Sequence, residues 1–423
     1  MIYVCDAIMG SGKSSAAIQY MNEHKNDKFI YVTPYLDEAE RIKKQCRDLH
    51  FVEPSNAFEE FGHTKSGHTA ALIKDGCNIT TTHQSFKNYT QEMLDGIKEK
   101  KYTIFIDENL EILNPCDDYL GDIQLLIEAG YIEEQDGGEF TLTDKEYTGF
   151  KFKDIIWMLR SRSLMRTGIN NGMFYWSIPK ELIDSFKDVY VLTYLFEGQS
   201  MYYFFRMNNI TYQNIYISKN QDGVFRFSTE RTELPGYVSK LKDLIHILDI
   251  QRMNEVDFNC KEQRENEKEL SMNWFSNYQK KENVEQLQKN LTRLFNVVWS
   301  DSTSENRMWG TFSKSQHKLR GRGYSKNFLI FNSRATNKYR KCKYLAYLAN
   351  IYMNVNEKLF YQSCGLDVYE DRYALSVLIQ WIWRSAIRDG GEIWLYLPCI
   401  RMRRLLLSWI DDLSKSDKAN LCI

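Results

Sequence analysis

The sequence is poor in proline, with six in 423 residues, and its nine cysteines include no C-x-x-C pair. The scarcity of proline, in a composition 43% hydrophobic and 14% aromatic, excludes a largely disordered chain. The scattered cysteines argue against a zinc ribbon or a disulfide framework and read as free thiols of a reducing cytosol. No apolar run approaches the roughly 18 residues that a membrane span requires. The opening residues, Met1-Ile2-Tyr3-Val4-Cys5-Asp6, lack a basic stretch followed by an apolar one, so no secretory signal is expected. An excess of one charge is missing too: 55 Lys and Arg stand against 56 Asp and Glu, and the chain as a whole does not advertise a polyanion partner. The expectation is a soluble, cytoplasmic protein with no membrane partner, long enough for two domains of about 100–200 residues each.

Short β-favouring runs alternate with helix-forming stretches. Residues 2–5, Phe29–Val32, Asn78–Thr82, Tyr102–Ile106 and Val189–Thr193 read as strands, with helices over Ser14–Glu23 and Leu36–Leu49. That alternation implies a mainly parallel α/β sheet with right-handed crossovers. Between about residues 117 and 180 it is interrupted by an insertion. There Gly130-Tyr131-Ile132 and Glu139–Leu142 flank Asp136-Gly137-Gly138 and suggest a hairpin, either a structural insertion or a wing that pries a duplex. The second half reads as β character over 208–230 and helices over 236–300. It continues with a strand over Phe328–Phe331, helices over Tyr339–Tyr352 and Tyr373–Arg388, and a strand over Glu392–Leu397. Two α/β domains, 1–207 and 208–423, are expected.

The most specific signal is Ala7-Ile8-Met9-Gly10-Ser11-Gly12-Lys13-Ser14, set between a strand and a helix. Glycines there let backbone N–H groups turn onto phosphate oxygens, and the helix N-terminus adds its positive dipole end. Gly10, Ser11, Gly12, Lys13, Ser14 and Ser15 are the candidate phosphate-binding residues. Lys13 reaches the β- and γ-phosphates of ATP, and the Ser14 hydroxyl ligates Mg²⁺. Such a loop needs a second strand ending in carboxylates. Tyr102–Ile106 followed by Asp107-Glu108 supplies a metal ligand in Asp107 and a general base for water in Glu108.

Ala7, where the generic loop has glycine, makes the form A-x-x-G-x-G-K-[ST], which resembles motif I of superfamily-two helicases. In those proteins the acidic motif commonly runs Asp-Glu-x-Asp or Asp-Glu-x-His, whereas Leu110 fills the fourth place here, so coupling through that side chain is absent or rerouted. The resemblance extends in order along the chain. Val32-Thr33-Pro34 resembles a segment that grips the nucleic-acid backbone and Thr81-Thr82-His83-Gln84 a second such contact. Leu192–Phe196 resembles the motif linking hydrolysis to domain movement.

Near the C-terminus, Gln380, Arg384 and Arg388 recur at four-residue spacing, which on a helix aligns them along one face. This resembles motif VI of the same helicases, where an arginine acts on the γ-phosphate as a finger. Which of Arg384 and Arg388 does so stays open, with Arg388 slightly favoured, because the second arginine follows the glutamine by eight residues where seven is usual. From Asn306 to Asn356 there is no acidic residue, while Arg307, Lys314, Lys318, Arg320, Arg322, Lys326, Arg334, Lys338, Arg340, Lys341 and Lys343 all fall there. Interleaved Trp309, Phe312, Tyr324, Tyr339 and Tyr344 suggest base stacking beside phosphate neutralisation, the alternative being a solvated basic face.

Phe331–Tyr339 and Gln380–Asp389 together resemble helicase-like ATPases encoded by bacteriophages and integrated elements of bacteria. That resemblance implies two RecA-like domains with ATP in the cleft between them, a bacterial host cytoplasm, and a place in replication or recombination beside other proteins of those processes. The expected activity is ATP-dependent translocation or strand separation on nucleic acid, DNA favoured over RNA. Two other classes stay open. One is an ATP-dependent loader or switch without unwinding. The other is a viral DNA-packaging ATPase, which normally adds a nuclease domain whose carboxylate cluster is not evident in the second half. Because the chain opens directly on its first strand, no upstream segment is expected to read adenine, and GTP or dATP remain candidate fuels.

Overall fold

A computed structural model describes residues 1–34, 36–116, 119–135, 139–149, 151–160, 164–166, 174–232, 238–256, 268–331 and 337–415. Four β-favouring runs form β1 (Ile2–Asp6), β2 (Phe29–Val32), β3 (Ile79–Thr81) and β4 (Thr103–Asp107). β2 and β4 are buried along their whole length, as strands covered on both faces must be. Between them lie helices, among them α1 (Lys13–Glu23) and α2 (Leu36–Gln45).

The insertion contributes β5 (Leu113–Pro115), β6 (Ile132–Glu134), β7 (Phe140–Leu142), β8 (Leu164–Arg166) and β9 (Phe174–Ser177). β6 and β7 pair antiparallel, so the expected hairpin is present, although Asp136-Gly137-Gly138 lie outside the described residues. β5, β9 and β8 make a separate antiparallel sheet in that order. The chain then returns as β10 (Asp188–Thr193) and β11 (Gln213–Asn214), followed by an antiparallel pair, β12 (Tyr216–Lys219) and β13 (Phe225–Ser228).

The main sheet runs β11-β1-β10-β4-β2-β3, every pair parallel. Side chains alternate across it. Phe29, Tyr31, Phe105, Tyr190 and Leu192 face Ala17, Ile18 and Met21 of α1 and Ile42 of α2, while Ile30, Val32, Ile104 and Ile106 face Leu72, Ile73, Leu94 and Ile97. Full burial of each such side chain is worth about 1.5–3 kcal/mol. One continuous sheet therefore anchors the loops at its C-terminal edge from both sides.

The second half carries β14 (Ile245–Ile247), β15 (Arg307–Gly310), β16 (Tyr344–Tyr347) and β17 (Ile393–Tyr396), in the order β14-β17-β16-β15 and again parallel. Both halves are thus RecA-like α/β layers. β14 falls in a stretch expected to be wholly helical, and β16 replaces the helix expected over Tyr339–Tyr352. Leu345-Ala346-Tyr347-Leu348-Ala349 is buried on every side, and such a run has no polar face to reveal its period. The strand expected over Phe328–Phe331 is reduced to one bridge, Trp309 to Phe328. Leu329 gives its N–H to Trp309 O (2.9 Å), but its carbonyl is taken by the Trp381 indole N–H (3.0 Å), so the ladder stops.

The chain clusters into two compact units. The first comprises Met1–Ile8, Gly12–Glu230 and Asn354–Val368; the second comprises Met9–Ser11, Arg231–Met353 and Tyr369–Ile423. The helix Val355–Ser363, though late in the chain, packs within the first: Tyr361 stacks on Tyr203 at 4.4 Å and Phe360 lies 5.4 Å from Tyr175. Among the described residues no helix is long and apolar enough to cross a membrane.

Candidate active site

β1 runs straight into the phosphate loop. Gly10 and Gly12 both take left-handed backbone conformations, φ 81° and 96°, which a side chain would strain. Gly12 is the N-cap of α1 and brings no capping side chain, so the first-turn N–H groups are left for a ligand. Lys13 is 9% exposed, and its ammonium folds back onto the carbonyls of Ala7 and, at 3.2 Å, Ile8. The Ser11 hydroxyl is buried with no hydrogen-bond partner. Both are groups that a triphosphate would satisfy.

The order of the sheet brings the acidic pair beside this loop. β10 lies between β1 and β4, and its end ties both: Ala7 N–H donates to Thr193 O (3.0 Å) and Glu108 N–H to Leu192 O (2.9 Å). The Asp6 carboxylate in turn accepts from the N–H groups of Leu195 (2.8 Å) and Phe196 (3.0 Å). Glu108 and Leu195 hold left-handed backbones, φ 66° and 57°. Each costs on the order of 1 kcal/mol and is tolerated where the surroundings impose it. The Leu192–Phe196 segment is thus bonded to the strand carrying the phosphate loop.

Asp107 is 6% exposed, and the Tyr31 hydroxyl donates to its Oδ2 at 3.1 Å. Ser14 lies near enough to act on the Tyr31 hydroxyl as well. One phenol therefore stands beside both groups expected to hold the metal. Burial, reinforced by the Glu108 and Glu38 charges and opposed by Lys13, raises the Asp107 carboxyl well above its ordinary range. A buried carboxylate beside hydroxyl oxygens is the donor type that a hard divalent cation takes.

Three contributors were not anticipated from sequence. Tyr31 sits inside a strand among core residues, where nothing distinguishes it from a packing aromatic. Arg41 on α2 donates to Ser15 Oγ (2.9 Å) and pairs with Glu38 (3.0 Å), bracing the first turn of α1. Asp6 ends β1 and reads as an ordinary strand terminus.

The other expected residues are placed less uniformly. Thr33 is 1% exposed, so it does not present its hydroxyl to a nucleic-acid backbone, and Pro34 beside it is half-buried. Thr82 caps the helix His83–Phe86 by accepting from Ser85 N–H (3.2 Å). His83 bonds the Asp107 carbonyl through Nε2 at 2.8 Å, and burial pushes its imidazole down to about 4. It is therefore neutral, and donation to a carbonyl fixes the proton on Nε2. Leu110 is wholly buried, and His83 is a side chain that bonds the end of the acidic strand.

The single helical face expected for Gln380, Arg384 and Arg388 does not form. The helix is Glu370–Ile382, and a 3-10 turn covers Ala386–Asp389. The break comes where Ala386 N–H leaves the helix to bond Cys342 O at 3.0 Å, beside β16. Gln380 and Arg384 are half-buried and Arg388 is exposed. Within the basic segment Arg320, Arg322 and Lys338 are exposed, and Arg334 lies outside the described residues. Arg307 is buried instead, donating to the carbonyls of Ser302 (2.7 Å), Phe295 (2.5 Å) and Gly323 (2.8 Å). Trp309, Tyr324, Tyr339 and Tyr344 are each less than 9% exposed and belong to the core, not to a base-stacking surface.

Residues 239–410 match the family described as the YonV C-terminal Rossmann-like domain. The chain is 33% identical over 424 residues to the SPbeta prophage-derived uncharacterized protein YonV of Bacillus subtilis (strain 168), covering 97% of this chain and 99% of that one. Among solved structures, S. tokodaii Xpd4 aligns at a TM-score of 0.48 with 13% identity, over 98% of this chain and 94% of that one. An apo XPD structure aligns at 0.45 with 12% identity, over 96% and 95%. The expected kinship with proteins carried by phages and integrated elements is therefore met, and identity sustained along nearly the whole of both sequences shows that this chain belongs to the YonV family.

Proposed function

We propose that this protein is an ATP-dependent translocase or helicase acting on nucleic acid, with DNA as the track, in the replication or recombination of a mobile element. The observation that carries the reading is the buried Asp107, bonded by the Tyr31 hydroxyl that also lies beside Ser14, next to a glycine loop. It unites a phosphate cradle with a buried carboxylate, which is the constellation for phosphoryl transfer to water. The prophage origin of the relative supports a mobile-element setting, and the exposed Arg320, Arg322 and Lys338 support contact with a phosphate chain.

In this reading Lys13 exchanges the Ala7 and Ile8 carbonyls for the β- and γ-phosphates, and Ser15, braced by Arg41, adds its hydroxyl at the start of α1. Ser14 and Asp107 would hold Mg²⁺, which would neutralise phosphate charge. Glu108, next in sequence to Asp107, accepts the proton of the attacking water. An arginine, Arg384 or Arg388, meets the charge that develops on the γ-phosphate. Product release relaxes the loops tied to β10, and movement of the Leu192–Phe196 segment turns hydrolysis into motion along the strand.

The test is ATP hydrolysis measured beside single-stranded DNA, duplex DNA and RNA. Stimulation by nucleic acid, with DNA the strongest, is expected. Hydrolysis indifferent to all three, with no binding at low salt, would reject the motor. Strand displacement on forked DNA separates a motor from a loader, which binds without unwinding.

A further inference from the structure

The antiparallel pair β12–β13 packs on α1, and Phe225 and Phe227 of β13 share one face of it. Phe227 stacks on Tyr190 at 5.3 Å and lies 6.4 Å from Tyr20, filling the space between α1 and the sheet. Two residues away on the same face, Phe225 passes beyond that core and reaches the phosphate loop. Its ring lies so close to Gly12 that a Cβ there would stand 2.7 Å from the ring Cγ. Yet the ring is only half-buried. Across the strand pair Lys219 is in register with Phe225, and its exposed ammonium lies 5.1 Å from the ring centroid.

An aromatic ring wedged against the last glycine of a phosphate loop, with an exposed cation over it, is unusual for packing alone. Phe227, half-buried as well, is covered by Phe105 and Tyr190, whereas the Phe225 ring meets the glycine loop. The partly open ring thus lies beside the last glycine of that loop. A planar nucleobase can lie on it, displacing the Lys219 ammonium, whose cation–π contact at an exposed site is weak. The displaced ammonium remains beside an anionic ligand.

We propose that Phe225 is the stacking platform for the base of the bound nucleoside triphosphate, with Lys219 as the neighbouring phosphate or ribose contact. The proposal rests on the nucleotide-hydrolysing reading of the phosphate loop and deepens it. Stacking uses the π-face that every base possesses and leaves the hydrogen-bonding edge unread. The site is therefore tolerant of base: ATP, GTP and dATP are all accepted, and triphosphate without a base is held without help from Phe225.

The full-length protein is titrated with MgATP, with GTP and with Mg-tripolyphosphate, as wild type, Phe225→Ala, Phe225→Leu and Phe225→Trp. Leucine keeps apolar bulk against Gly12 and so guards against a variant that merely loosens the hairpin. The expected result is MgATP and GTP binding weakened roughly 5- to 150-fold in the alanine and leucine variants, the loss of one base–aromatic stack. Tripolyphosphate binding stays unchanged, and tryptophan restores nucleotide affinity with its fluorescence quenched on binding. Equal weakening of tripolyphosphate and ATP would assign Phe225 to packing and overturn the platform. Unchanged ATP affinity in the leucine variant would overturn it too. Lys13→Ala is the control for the underlying reading: if wild type binds no MgATP, or binds it as well without Lys13, the nucleotide site itself is refuted.

Discussion

Asp107→Asn separates stability from activity at this site. In the folded protein burial and the neighbouring Glu108 and Glu38 raise the Asp107 carboxyl above its ordinary value. The folded state therefore holds the Asp107 proton more tightly than the unfolded chain, and this group's contribution to stability declines as pH rises from about 3.9 toward the raised folded value. Above that value the penalty is complete. Asparagine keeps an oxygen to accept from Tyr31 and carries no charge, so the apoprotein is expected to gain about 0.5–2 kcal/mol at neutral pH, the scale for relieving a function-bearing strain. For a unit of this size that is a rise in melting temperature of roughly 1–8 °C. Thermal unfolding of both proteins between pH 5 and 8, without nucleotide or metal, is the assay. The gap should narrow toward acid. Added MgATP should reverse the order, because the wild type gains ligand binding that the variant has lost. A variant that melts below wild type at pH 7 without ligand, or a gap that ignores pH, would refute the account of Asp107 as a carboxylate held against its own electrostatics.

Other outcomes follow from the same geometry. Lys13→Ala should lower turnover by at least about 10²-fold with little loss of fold, since its ammonium bonds carbonyls of the loop itself; steady-state ATPase rates with circular dichroism check both. Arg388→Ala should cut nucleic-acid-stimulated turnover by roughly 10³-fold or more while ATP binding persists, and Arg384→Ala should do less if the exposed side chain is the finger. Arg307→Met leaves several buried carbonyls without donors and should cost about 3–5 kcal/mol in chemical denaturation. Arg320→Ala with Arg322→Ala should instead leave stability within about 0.5 kcal/mol and reduce the salt slope of DNA binding by about 2.

The contrast between Arg307 and Arg320 shows what a sequence can and cannot carry. Both are arginines in one segment without acidic residues, and charge alone assigns them the same role. Their difference is set by distant partners: the carbonyls of Phe295 and Ser302 converge on Arg307, whereas Arg320 gives only its own carbonyl, to Gln288 at 3.0 Å. The aromatic residues of the segment mislead for the same reason, because Trp309 and Tyr324 satisfy the core rather than a ligand. Local signals fared better. The phosphate loop, β4 and its Asp107-Glu108 end, β10, β17 and the hairpin of the insertion depend on short-range pattern and turn chemistry, and these were legible. β16 was not, because a fully buried run has no polar face to set its period, and β14, three residues long, is too short to show one. The helix carrying Gln380 was legible in existence but not in extent, since its end is imposed by Cys342, a residue far away in sequence.

That misjudged end bears on mechanism. A continuous helix would hold Gln380, Arg384 and Arg388 in a fixed row, so that all three approach a phosphate together or not at all. The structure divides them. Gln380 stays on the rigid helix, while Arg388 rides a short 3-10 turn whose Asp389 is paired with the Arg340 guanidinium, Nη2 to Oδ1 at 2.6 Å. Arg340 follows closely on Lys338 in the basic segment, so a phosphate chain that draws Arg340 away from Asp389 frees the turn that carries Arg388. Nucleic acid and the arginine acting on the γ-phosphate would then be linked through one exposed ion pair, worth about 0–1 kcal/mol and easily broken. Arg340→Ala should accordingly raise the basal ATPase rate and shrink the stimulation by DNA. A variant with low basal rate and full stimulation would show that the ion pair has no part in the coupling.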